Sequence, residues 1–141
     1  MIDFTRKLLE LARATRDWAG AIADAGTERR ERVARYADQI VGTLARAIAA
    51  FECLEKEPGD KTAARIAIKE LARLTGYVES LVAVLEGRID GRRVHALKRR
   101  LEGLACEGLI VQSIRRADTT RIERLSAAEG YFRALADELR A

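Results

Sequence analysis

One histidine, one proline, one tryptophan and two cysteines are all that this 141-residue chain holds of those types, and aromatics make up only 5% of it. Each scarcity excludes something. With His95 alone, neither a histidine-based metal centre nor the paired Glu-x-x-His motifs of a di-iron bundle can be built. Cys53 and Cys106 lie far apart with no C-x-x-C spacing. They suit buried small side chains in a reducing cytoplasm better than a disulfide or a metal pair. No apolar run reaches the roughly 18 residues that a membrane-spanning helix needs. The opening segment carries charge throughout, unlike the uninterrupted apolar stretch of a secretory signal.

Other chemistry is thin as well. Runs of β-branched residues are missing, so no strand is expected to feed a Gly-rich phosphate loop. Ser80, Ser113 and Ser126 show no partner base. The carboxylate pairs Glu52/Glu55 and Asp137/Glu138 fall at predicted helix ends or exposed positions, where solvation explains them. No catalytic residue, metal or cofactor is expected on these grounds.

What is present is helix-forming material. Hydrophobic residues make up 48% and charged ones 34%, which is too apolar for disorder and long enough for one cored domain over 1–141. Ala, Leu, Arg and Glu dominate. Val33, Ala37, Ile40, Leu44, Ala47, Phe51 and Leu54 alternate in steps of four and three. Ala64, Ala67, Leu71, Leu74, Val78, Leu81 and Leu85 do the same, starting with a step of three. Each set lies on one stripe of a helix, and Val41, Ile48, Ile68 and Val82 widen the stripes toward more than one neighbour.

Three further helices follow from the same rule. The first runs from about Asp3 to Asp24 on Phe4, Leu8, Leu11, Trp18 and Ile22, with Trp18 expected to pack on the core. The fourth runs from about Gly91 to Arg116 on Val94, Leu97, Leu101, Leu104 and Val111. The fifth, from about Thr120, uses Leu125, Ala128, Phe132, Leu135 and Leu139, with Thr120 and Glu123 as a capping box. Pro58-Gly59-Asp60 makes a turn in which Asp60 caps the next helix. Around Ala117-Asp118 the fourth helix could continue into the fifth with a kink. Gly20, Gly42, Gly76, Gly103, Gly108 and Gly130 fall inside helices, either for close helix packing or through simple tolerance. Short connections then predict an all-α fold, an elongated up-down antiparallel bundle of four to five long helices.

The formal charge is +4, and it is localised. Residues 86–100 carry Arg88, Arg92, Arg93, Lys98, Arg99 and Arg100 against Glu86 and Asp90, which accounts for the whole surplus. In an alternating bundle the second helix starts at the same end as the fourth, so Arg29, Arg30, Arg32 and Arg35 join this patch. Glu52, Glu55, Glu57 and Asp60, against Lys56 and Lys61, would make the other end mildly acidic. Arg outnumbers Lys by 21 to five, and guanidinium groups grip phosphate oxygens bidentately, although coding bias toward Arg produces the same ratio.

A basic helix face of this kind suits nucleic-acid backbone, with steep salt dependence and no base reading. Tyr36 and Tyr77 are the only aromatics placed to stack near it, which favours backbone contact over single-strand readout. The leading expectation is a non-catalytic subunit of a larger bacterial or archaeal assembly, binding RNA or DNA through this face. In size, helicity and basic surface it is similar to the small all-α subunits of CRISPR effector complexes. The alternatives are an adaptor or homo-oligomerising bundle that docks an acidic partner, and an ordinary solvated face.

One motif points elsewhere. Arg88-Ile-Asp-Gly-Arg-Arg-Val-His95 resembles the Arg-x4–6-His signature of the HEPN family, helical bundles of similar size, many of them metal-independent RNases. The resemblance implies Arg88 as a phosphate ligand and His95 as the general acid/base. It covers eight residues, and Ile89 stands where that family usually has a polar side chain.

Overall fold

The structure, a computed structural model, describes residues 4–85, 92, 95, 96, 99 and 107–141, with the backbone alone at 107–109. Its helices are α1 (Phe4–Asp17), α2 (Ala19–Asp24), α3 (Thr27–Lys56), α4 (Lys61–Leu85), α5 (Glu107–Arg115) and α6 (Thr119–Arg140). Among the described residues there is no strand, and the fold is the all-α bundle that the periodicity predicts. Four expected residues of the fourth helix stripe, Val94, Leu97, Leu101 and Leu104, lie outside the described residues, as does Cys106.

Cross-helix contacts give the directions. Arg29 of α3 reaches Val84 of α4, and Arg46 of α3 reaches Glu70 of α4, so these helices run antiparallel. Thr119 at the start of α6 bonds Glu55 near the end of α3, while Arg140 at the end of α6 pairs with Asp38. Thus α6 is antiparallel to α3 as well. Arg16 pairs with Glu138, and Arg13 lies over the Tyr131 ring, which sets α1 alongside α6 in the same direction. The most extensive packing joins α3 with α4, α3 with α6, and α1 with α6.

The stripes account for the core. Every expected seam residue of α3 is buried, and so is every one of α4 except the half-buried Ala64. Phe4, Phe51 and Phe132 fill it as the three largest fully buried side chains. Burying a side chain of this size contributes roughly 1.5–3 kcal/mol.

The structure departs from expectation in several places. The first predicted helix divides at Trp18, whose backbone (φ −96°, ψ 10°) leaves helical geometry. Thr15 is buried there and donates from its hydroxyl to the Leu11 carbonyl at 2.8 Å, and Trp18 N bonds Thr15 O in a tight i+3 turn. Hydroxyl back-bonding of this sort loosens the regular ladder and bends a helix. Trp18 packs against the core as expected, half-buried at the bend.

Between α5 and α6 the chain breaks fully. Asp118, in extended conformation, is the N-cap and accepts from the Arg121 amide at 2.9 Å. Thr120 is therefore the second residue of α6 and not its cap. Val111 is 37% exposed, whereas Ile110, Ser113 and Ile114 are buried, one position out of the expected phase. The expected stripe passes through Gly108, which has no side chain to hold that phase. Ile68 is 43% exposed, one residue round from the buried Ala67, and Cys53 is exposed on the outward side of the α3 seam. The expectation of a buried thiol fails at Cys53 because Phe51 and Leu54 take the inner positions.

The helix glycines divide cleanly. A Cβ at Gly20, Gly76 or Gly130 would meet open space, and at Gly42 only the Arg46 Nη1 at 3.6 Å. Close helix approach does not explain them. Gly103 lies outside the described residues, and at Gly108 only the backbone is described. Gly26, with φ +111°, is the glycine that its conformation requires, at the turn from α2 into α3.

Candidate nucleic-acid interface

The site is built on the first turns of α3. Its N-cap, Gly26, has no side chain with which to cap, so the amides that open this 30-residue helix receive no side-chain acceptor from that position. Arg29, Arg30, Arg32 and Arg35 follow within the next three turns. Their surroundings separate them into two kinds.

Arg29 is half-buried and donates from Nη1 to the Val84 carbonyl at 2.6 Å. That carbonyl belongs to the last turn of α4, where unpaired C=O groups attract a cation. Arg29 therefore ties the start of α3 to the end of α4. Arg30 is also half-buried, and its Nε is buried without a hydrogen bond. Arg32 and Arg35, in contrast, are exposed, and no ion pair engages either among the described residues.

The Arg29 bond has a consequence for the patch. It holds the α3 cations at the end of the bundle where α4 leads into segment 86–100. Within that segment Arg92, His95 and Arg99 are helical and exposed, spaced by three and four residues on one helical stripe, and Ala96 beside them is half-buried. Arg88, Arg93, Lys98 and Arg100 lie outside the described residues.

Two concavities adjoin the α3 cations. One, of about 170 Å3, is lined by Arg32, Arg35, Tyr36 and Gln39. The other, of about 400 Å3, is lined by Ala25, Gly26, Thr27, Glu28, Arg29 and Arg32, so Arg32 borders both. The role of Gln39 was not legible as a site residue. Its signal is geometric, since 32, 35, 36 and 39 follow the i, i+3, i+4, i+7 pattern of one helix face.

The far end of the bundle is not the acidic surface that the sequence suggests. Asp60 accepts from the Ala63 amide at 3.0 Å, Glu55 from the Thr119 hydroxyl at 2.7 Å, and Asp118 from both Arg121 N and its guanidinium. Exposed Arg115 and Arg116 share a concavity of about 350 Å3 with Glu55, Asp118 and Arg121. The α5–α6 junction brings these cations to that end, and the mildly acidic reading is corrected to a mixed one.

Along the flank, Glu70 is buried on α4 and holds Arg46 at 3.1 Å and Arg73 at 3.5 Å. Arg73 also donates to the Tyr77 hydroxyl and lies over its ring at 5.9 Å. That hydrogen bond from Arg73 to Tyr77, with help from Glu70, raises the guanidinium pKa above its ordinary value. Tyr77 is thus committed within the fold, and Tyr36 carries no such ring contact among the described residues.

Among the described residues no cluster of His, Cys, Asp and Glu could hold a metal, and no helix is long and apolar enough to cross a membrane. No protein-family model matches the chain, and searches of curated proteins and of solved structures return no match.

Proposed function

We propose that this bundle is a non-catalytic, nucleic-acid-associated subunit that grips phosphate backbone with Arg32 and Arg35 of α3 together with Arg92 and Arg99. One observation carries the reading: the Arg29–Val84 bond sets the exposed α3 cations at the end of α4 from which the most basic segment departs. Arg32 and Arg35, which no ion pair engages among the described residues, are available for bidentate contact with phosphate oxygens. Affinity of this kind comes from counterion release and is independent of base sequence.

A salt titration with mixed-sequence RNA and DNA tests it. The expected result is binding at about 50 mM salt that weakens steeply as salt rises. Charge reversal at Arg32, Arg35, Arg92 and Arg99 should weaken all sequences alike and reduce the salt slope by about one per lost contact. No binding at low salt overturns the proposal. Selective retention on an acidic protein surface would favour the adaptor reading instead. His95 is exposed on the same stripe as Arg92 and Arg99, which supports an RNase arm in the test. RNA cleavage that disappears in His95→Ala would replace the non-catalytic reading.

A further inference from the structure

We infer that the small concavity on α3 receives one nucleotide of a single-stranded chain, with the phosphate on Arg32 and Arg35 and the base against Tyr36. This rests on the nucleic-acid reading above and narrows its substrate class to single strands. Sequence alone points the other way, because aromatics near the patch are too few for stacking along a strand. The structure changes the weight of one of them.

Four side chains of complementary chemistry converge within two turns. Arg32 and Arg35 are exposed forks that bind an anion, and the Gln39 amide can both donate to and accept from a base edge. Tyr36 is half-buried, held against the core, and lines the same concavity. A ring fixed in this way stacks on a base with little loss of rotamer freedom, as aromatic platforms for single strands do. The protein's other two tyrosines already have arginine partners: Arg13 over Tyr131 at 5.7 Å and Arg73 over Tyr77 at 5.9 Å. No described guanidinium lies over Tyr36, although Arg32 and Arg35 flank it in sequence and line the same space.

Size narrows the ligand. The volume of about 170 Å3 falls well short of the roughly 300–1,000 Å3 of clefts that enclose whole small molecules. It suits a single planar ring with its phosphate left at the rim, which is what an unpaired nucleotide presents and a paired one does not. A duplex keeps its bases stacked inward and offers only phosphates to Arg32 and Arg35.

The test compares a mixed-sequence single strand with a duplex of equal phosphate count at matched salt. The wild-type protein should favour the single strand by about 5- to 150-fold, the range expected for one stacked base. Tyr36→Leu, which keeps an apolar side chain against the core, should lose that preference while holding its duplex affinity, and Tyr36→Phe should restore it. Should Tyr36→Leu fail to fold, a 2-aminopurine-labelled single strand gives a second readout, because stacking on the wild-type ring quenches its fluorescence. Equal affinity for both forms, with Tyr36→Leu matching wild type or no quenching, overturns the single-strand inference and leaves the phosphate reading standing. Binding of neither form at low salt overturns both.

Discussion

The two ends of α3 use charge in opposite ways. At its C-terminal end three carboxylates around the helix are engaged: Glu55 with Thr119, Asp60 with the Ala63 amide of α4, Asp118 with Arg121. At its N-terminal end Arg29 bonds Val84 and Asp38 pairs with Arg140, while Arg32 and Arg35 reach solvent. The physical difference lies in what each end must satisfy. The far end contains two helix starts, α4 and α6, whose orphan amides need acceptors, so carboxylates are drawn into capping. The near end contains the C-termini of α4 and α6, which need donors. Arg29 serves α4, and Arg140, hydrogen-bonded to Asp38, sits in the last turn of α6. That bond to Asp38 raises the Arg140 pKa above its ordinary value. Arg32 and Arg35 remain after these needs are met.

This contrast predicts a ranking of stability effects. The scale is set by the core beneath both ends. Phe51→Ala, at a fully buried seam position of α3, should cost about 3–5 kcal/mol in denaturant unfolding. A loss below about 1 kcal/mol there would mean that the α3 seam is not the stabilising core. Breaking the caps should come next. Asp118→Ala and Asp60→Ala should each cost about 1 kcal/mol, because each leaves a helix-start amide without its acceptor. Neutral results would show that the charges of the far end are as idle as those of the near end.

How much of this was legible beforehand depended on whether the signal was periodic. The α3 and α4 stripes repeat over seven residues each without interruption, so phase errors cannot accumulate, and the helices and their inner faces followed directly. The break at Trp18 was hidden because Thr15 looks like any small polar residue until its burial and its bond to Leu11 are known. The cap at Asp118 was displaced by two residues because Thr120 and Glu123 offer an equally good pattern, and only the extended backbone of Asp118 decides between them. In the site, the clustering of the α3 cations near segment 86–100 followed from topology. Its sorting did not: sequence treats Arg29, Arg30, Arg32 and Arg35 alike, and only burial separates a fastener from a free fork. The concavity holding Tyr36 and Gln39 was out of reach for the same reason.

The helix glycines provide a gain-of-stability test that ranks with the caps or just below them. Gly76 and Gly130 are exposed, helical and free of neighbours at the Cβ position. Replacing either with Ala should stabilise the protein by up to about 1 kcal/mol by restricting the unfolded chain and restoring helix propensity. A destabilisation at Gly130 would contradict the open space at its Cβ position and overturn the prediction.

The smallest expected effect is the most informative about function. Arg32→Ala and Arg35→Ala should change stability by no more than about 0.5 kcal/mol, the range of surface substitutions that break no partner. Arg29→Ala should behave differently from its neighbours, because it removes the donor from Val84 and loosens α3 from the end of α4; a loss of about 1 kcal/mol is expected for a bond of this kind. Measured side by side by thermal unfolding, the three substitutions separate two explanations of the same arginine cluster. If all three destabilise equally, the near end is fastened like the far end and its arginines belong to the fold. If Arg29 alone does, the fold has no use for the charges on Arg32 and Arg35, which leaves them to a ligand outside the chain or to an ordinary solvated face, and a binding measurement decides between the two. The same two variants should then weaken nucleic-acid binding and flatten its salt slope, by about one for each phosphate contact removed.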